Sequence, residues 1–426
     1  MIRLKISRKT AAFLCALIFA SCGALHAART CNPRDLGAKG DGVTKDTAAI
    51  QNAIDACATK GGGTVRLTAG TYLSAPIVLK SNITLQLDKG ATLLGSPDHS
   101  DYPEKVEFRL PAVQSLVSAT NAENVAITGE GTIDGQGESW WAMARTVQNA
   151  GVMGNHPRPR GIVFDHCKHV RVEGITLQNS AFWQLVPYYS DDVLISHVRI
   201  LAPPRSPNTD AVDPFSSSNV RIDHLYADTG DDDIAIKSGA INSPGGDDPA
   251  RDITITDCTF LHGHGLSIGS EIAGGAHNIV AERIHFNGTD NGIRVKANRD
   301  RGNDVSNLVF RDIDMIDVKN PIVISEYYPR ILPPEGEVKP EPVTRLTPHF
   351  HNIVLQNVTA KGADMAGAIV GLPEAPVTDI VLENVTLSGK TGLSIGYANV
   401  TGQNVKVTAE QGDAILKTVG ANVTIQ

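Results

Sequence analysis

Four short clusters in the middle of this chain carry side chains that do chemistry: Asn208-Thr209-Asp210, Gly230-Asp231-Asp232-Asp233, Gly263-His264-Gly265 and Arg294-Val295-Lys296. Asp210 and Asp231 are 21 residues apart, Asp231 and His264 33, and His264 and Arg294 30. Steps of that size match one unit of a repeat architecture. If the units stack, carboxylates, an imidazole and two cations meet on one face. Two carboxylates about 5 Å apart repel by about 3 kcal/mol at an effective dielectric of about 20, or about two pK units. One then keeps its proton at about pH 5 while another stays ionised. Such a pair protonates a leaving oxygen and activates a water, the two needs of glycoside hydrolysis. The cations suit an anionic substrate. Alone, each cluster has an ordinary reading: a solvated loop or weak Ca²⁺ turn, a turn histidine, a solvated strand face. Their common phase is what argues for a site.

The elements that would position them are short strands. An Asn, Asp or His followed by alternating apolar residues recurs at Asn82, Asn124, His169, Asp192, Asn219, Asp252, Asn278, Asn307, Asn352 and Asp379. Each unit holds two or three runs of period-2 alternation and no helix. The repeat predicts an all-β chain, a parallel β-helix solenoid forming a single elongated domain over 28–426. A leucine-rich repeat would need a regular Leu pattern, which is absent. Counting from Asn219 and Asp252, Asp231 and His264 each fall 12 residues on, in the same phase of successive units. The strands after them should point Ile234, Ile236, Leu266, Ile268, Ile293 and Val295 inward. Ala235, Ser267, Arg294 and Lys296 should then point outward. One helical segment is predicted, over 46–60, with apolar residues at Ala49, Ile50, Ala53, Ile54 and Cys57 and a Gly61-Gly62-Gly63 stop. It would cap the N-terminal end. Residues 98–117, 142–160 and 329–348 interrupt the repeat and read as loops walling a binding face. Asn-Val-Thr at 357, 384, 399 and 422 reads as turn and strand chemistry rather than as glycosylation acceptors.

Composition limits the partners. The net charge of −8 over 426 residues argues against nucleic acid, while local cations still allow an acidic substrate. Residues 1–27 read as an export signal: Arg3, Lys5, Arg8 and Lys9, then the apolar run from Ala11 to Ala20, then Leu25-His26-Ala27 as cleavage site. A lipobox-like Phe19-Ala20-Ser21-Cys22 offers a lipoprotein as the alternative. No other stretch is apolar enough to cross a bilayer, so the expected protein is secreted or periplasmic, with no membrane partner. Cys31 and Cys57 flank the first mature unit and are able to pair in an oxidising compartment. Cys167 and Cys258 read as buried small hydrophobes, and no Cys-x-x-Cys suggests a metal site.

The four clusters, taken together, resemble the polygalacturonase family, glycoside hydrolase family 28. Supporting segments are Leu36-Gly37-Ala38-Lys39-Gly40-Asp41-Gly42, Gly131-Thr132-Ile133-Asp134-Gly135-Gln136-Gly137, Asn179-Ser180 with Trp183, and Asn320-Pro321-Ile322-Val323-Ile324 with Tyr328. The resemblance covers residue 31 to the C-terminus. It implies a right-handed β-helix and hydrolysis with inversion. It implies Asp231 as general acid, Asp210 and Asp232 as the groups that activate water, and His264 as support for the acid. Asn208 belongs to the substrate-binding set, and Arg294, Lys296 and Tyr328 would bind galacturonate. No cofactor or metal is implied, and the expected protein is a monomer acting on the acidic polysaccharide galacturonan. Asp233 stands where the family often has Cys. As an ionised group beside them it would raise neighbouring pKa values and with them the pH optimum; the alternative is that it simply points away. The Asn320 to Tyr328 stretch leans toward endo attack. Rival readings are an exo-acting enzyme, a rhamnogalacturonan or xylogalacturonan hydrolase, a Ca²⁺-dependent pectate lyase with Arg294 as base, and a non-catalytic carbohydrate-binding β-helix.

Overall fold

The computed structural model describes residues 29–149 and 157–426. The export signal over 1–27 and the lipobox at Cys22 lie outside the described residues, as does part of the 142–160 insertion. The chain winds as a right-handed parallel β-helix whose strands pair between coils, in register. On one wall the column Val125, Val170, Val193, Val220, Ile253, Ile279, Leu308, Ile353 and Ile380 points inward, each residue paired with the next. All nine are buried. Each such side chain contributes about 1.5–3 kcal/mol relative to exposure.

The residue before each member of that column explains the repeat. All ten recurring Asn, Asp and His residues, Asn82 to Asp379, sit at φ between 53° and 63°. That left-handed corner is where Asn and Asp are tolerated and most other residues are not. Their side chains also bond from coil to coil: Asn124 Nδ2 donates to Asn82 Oδ1 at 2.9 Å, and Asn278 Nδ2 to Asp252 Oδ1 at 3.0 Å. A second corner row contains Asp312, Asn357, Asn384 and Asn404. Asn357 and Asn384 bond within it, which is the turn role read for their Asn-Val-Thr segments.

The N-terminal helix runs Thr47–Thr59 and buries the five expected apolar residues. Asp46, just before it, accepts the backbone N–H groups of Lys39 and Gly40 instead of capping the helix. A disulfide joins Cys31 to Cys57, while Cys167 and Cys258 are free and buried. Two insertions differ from the loops predicted for them. Within 98–117, strands Glu104–Glu107 and Leu110–Val113 form an antiparallel hairpin. Glu138–Asn149 is a second α-helix, anchored by the buried Trp140 and Trp141. Its amphipathic stretch was hidden because the β-repeat on both sides carries the stronger pattern. Residues 329–348 contain no strand or helix, as their prolines require. Among the described residues no helix is long and apolar enough to cross a membrane.

Candidate active site

The site lies on another wall of the coil, built from Ile234–Ile236, Leu266–Ile268, Asn291–Lys296 and Asn320–Ser325. Ile234, Leu266, Ile293 and Ile322 pair in an inward column, and Ala235, Ser267, Arg294 and Val323 form the outward one beside it. Asp231 and His264 do share a phase: His264 N–H donates to the Asp231 carbonyl at 2.8 Å. The aspartate turn is longer by one residue. Thr229 pairs with His262 and Ile234 with Leu266, leaving residues 230–233 opposite 263–265. Gly265 is forced by this crossing. Its φ is +80°, and a Cβ there would sit 2.0 Å from the Asn291 carbonyl oxygen.

The three catalytic candidates occupy different environments. Asp232 is buried at its carboxylate, where Lys296 Nζ donates at 2.7 Å, Ser267 Oγ at 2.7 Å, and Arg294 lies at 3.7 Å. Burial alone would raise its pKa, but Lys296, Arg294 and Lys237 outweigh it and hold Asp232 well below the usual carboxylate range. Asp210 is buried with less compensation. Burial first, then the charges of Asp231 and Asp213, push it well above the ordinary value despite Lys237. Asp231 is the one whose side chain reaches solvent, at 21% exposure against 4% and 2% for Asp210 and Asp232. His264 Nδ1 sits 3.0 Å from Asp231 Oδ1. Burial would lower the imidazole pKa, but the hydrogen bond and charge of Asp231, with Asp232, raise it instead. Asn208 Nδ2 approaches Asp231 Oδ2 at 3.4 Å, and its Oδ1 accepts from Arg158 Nη2 at 2.7 Å. The Tyr328 ring faces Lys296 at 5.5 Å and Arg294 at 5.8 Å. All eight candidates therefore belong to one connected site.

Other members went unassigned in the sequence. Lys237 Nζ lies 3.9 Å from Asp210, 3.8 Å from Asp213 and 3.3 Å from Glu271, all four groups being largely withdrawn from water. Burial opposes its charge, but Glu271, Asp210 and Asp213 raise its pKa well above the ordinary value. The signal was present: Lys237 follows Ala235 by two, the same spacing that puts Lys296 beside Arg294. Asp213 is fully buried, and burial pushes its carboxyl up to about 8. Asp290 extends the line, 3.5 Å from His264 Nε2. Asp231, Asp232 and His264 bring donor atoms within 4.8 Å of one another, a spacing that also suits a metal ion. Lys296 and Arg294 already supply positive charge to Asp232, so the arrangement does not require a cation.

Asp233 departs from its expected role. It is fully buried, accepts the Gly265 N–H at 3.1 Å, and leaves Oδ1 without a partner. Burial raises its pKa well above 3.8. A neutral acid places no charge beside Asp231 and gives no reason for a raised pH optimum. Its stabilising contribution is full below about pH 4 and is lost as pH rises through the raised folded value. Asp233→Asn, an isostere of the neutral acid, is therefore expected to melt with the parent at about pH 4 and above it at about pH 8. The acid limb of its pH–rate profile should not move. Thermal melts and initial rates across that range check both.

A model of glycosyl hydrolases family 28 matches residues 57–410. A probable polygalacturonase of Vitis vinifera is 33% identical, over 83% of this chain and 73% of the relative. An endo-polygalacturonase of Pectobacterium parmentieri is 30% identical, over 83% of this chain and 87% of its own. Among solved structures, a hyperthermoactive exopolygalacturonase from Thermotoga maritima superposes with a TM-score of 0.77 at 28% identity, covering 91% of this chain and 93% of that one.

Proposed function

Because this chain belongs to glycosyl hydrolase family 28, we propose that it is a polygalacturonase that hydrolyses α-1,4 bonds of de-esterified galacturonan with inversion. The observation that carries the reading is the split among three carboxyls. Asp231 alone is open to substrate, while Asp210 and Asp232 are buried behind it. A general acid must touch the leaving oxygen, so Asp231 takes that role. The raised pKa of Asp210, beside Asp231, keeps a proton within the cluster. Asp232, held ionised by Lys296 and Arg294, accepts a proton from the attacking water, with Asp210 orienting it. His264 donates to Asp231 and stabilises it after proton transfer. Arg294 and Lys296, with Tyr328, offer the cationic edge that a sugar carboxylate requires. The Cys31–Cys57 disulfide fits export to an oxidising compartment.

The packing across the groove favours exo attack over the endo lean of the Asn320 to Tyr328 segment. On the two coils before Asp210, the hairpin packs over the same wall of the coil. Arg160 Nη1 pairs with Glu107 Oε2 of the hairpin at 2.7 Å, and both are buried. The Arg160 guanidinium lies over Phe108, Phe182 and Trp183 at 4.2–5.1 Å, and Phe108 stacks on Tyr188 at 4.1 Å. A chain end fits against such a stop, and a continuous polymer does not. With polygalacturonic acid as substrate, mono- or digalacturonate is expected from the earliest time points, with slow loss of viscosity. A ladder of longer oligomers at early times would favour endo attack. Replacing residues 104–113 with a short turn, together with Arg160→Leu so that no buried charge is left unpaired, should lengthen the products. Chromatography of the products checks this.

A further inference from the structure

On the face outside the catalytic groove, three histidines gather around one carboxylate. Asp304 opens the strand Asp304–Ile316, and His349 and His351 lie on the next coil in the His349–Val370 strand. Register pairs Asp304 with His349, and Ser306 with both His351 and His277. Asp304 Oδ1 is 2.8 Å from His351 Nε2 and 3.3 Å from His349 Nδ1. Its other oxygen accepts Ser306 Oγ at 3.0 Å and lies 3.4 Å from His277 Nδ1. The donor atoms of Asp304, His349 and His351 all fall within 4.8 Å of one another.

We propose that Asp304, His349 and His351 form a binding site for a zinc-class divalent transition metal, with His277 and Ser306 fixing the carboxylate from behind. Tetrahedral zinc with bonds of about 2.0–2.1 Å sets its ligands about 3.3 Å apart. The two ring nitrogens lie 2.8 and 3.3 Å from Oδ1, about that spacing, and all three atoms fall within 4.8 Å of one another. Two imidazoles and a carboxylate select zinc, copper or nickel over calcium or magnesium. Holding the second carboxylate oxygen is what the outer partners of metal ligands do. Charge also favours a cation here: among the described residues, Asp304 has only histidines as ion-pair partners. The similar group His197, Asp223 and His224 differs, because Arg221 Nε lies 3.0 Å from Asp223 and neutralises it.

The location gives the site a purpose. His349 is the first strand residue after the irregular 329–348 segment. That segment's start follows Tyr328 of the groove, and near its end Arg345 Nη1 bonds the Ala273 carbonyl at 3.0 Å. A metal bridging Asp304 to His349 and His351 fastens the far root of this loop to the preceding coil.

The test uses the untagged chain titrated with Zn²⁺ alone, then with Ca²⁺ as control, read by calorimetry, thermal melting and limited proteolysis. Zn²⁺ is expected to bind, raise Tm by a few degrees and slow cleavage within 329–348 severalfold, with no response to Ca²⁺. His351→Ala and His349→Ala should each weaken this binding at least tenfold, His277→Ala less, and His224→Ala not at all. Melts without metal confirm that each variant is folded. Failure of Zn²⁺ to bind the parent, or binding unchanged in both His351→Ala and His349→Ala, overturns the site.

Discussion

Asp231→Asn is expected to lower kcat on polygalacturonic acid by about a thousandfold, within the range that a positioned general acid contributes. The amide keeps the shape and can still accept from His264, but it has no proton of the required acidity to give. KM should change little, because Arg294, Lys296 and Tyr328 still meet the substrate. Stability should change little as well, since the Asp231 side chain is partly solvated. A substrate with a good leaving group, such as a nitrophenyl galacturonide, needs less acid assistance, so its loss should be much smaller. Reducing-end release from the polymer and nitrophenol release from the small substrate give the two numbers. An equal loss on both would remove Asp231 from the acid role, and near-parental turnover on the polymer would do so outright.

The second large effect concerns folding rather than chemistry. Lys237→Met should cost about 3–5 kcal/mol, the usual result of removing one partner from a buried ionic group. Lys237 faces Asp210, Asp213 and Glu271, and without it these carboxyls have no common counter-charge. Adding Glu271→Gln should recover part of the loss, because Glu271 is the carboxylate that Lys237 holds ionised and that its removal leaves unpaired. Turnover should stay low in both variants. Lys237 counters the burial that raises Asp210, and its loss holds the proton still more firmly on Asp210 instead of leaving it to be shared with Asp231, the acid. Denaturant melts on the single and double variants separate stability from kcat. A single variant as stable as the parent would mean the cluster does not depend on Lys237.

The catalytic wall was readable from the chain because backbone geometry restricts residue type there. A left-handed corner admits few residues, so Asn219, Asp252 and Asn278 mark the start of their coils, and counting from them sets the phase of Asp231 and His264. Alternation then places Ser267, Arg294 and Lys296 outward, which their contacts with Asp232 bear out. The Cys31–Cys57 pair and the helix over Thr47–Thr59 were legible for similar local reasons. Features that depend on long-range packing were not. Arg160 meets Glu107 across 53 residues, and no local pattern announces a pair that anchors a hairpin. Asp233 follows two exposed or ion-paired carboxyls in sequence, yet its direction is fixed by the one-residue difference between two turns. That difference is visible only once the flanking strands are paired.

The disulfide at the first coil also bears on how long the molecule persists. In a stack of coils each member is supported by its neighbours, so the two ends have one neighbour fewer and open first. Cys31 and Cys57 lie 26 residues apart and tie the capping helix to the strand beside it. A closed loop of that length lowers the entropy of the open chain by an amount worth about 3.5 kcal/mol. Fraying from this end must therefore proceed with the cap still tethered and ready to reseat. In surroundings rich in proteases, survival then depends on how seldom the first coil peels away, a property set by cysteines 179 and 153 residues before the first catalytic carboxylate.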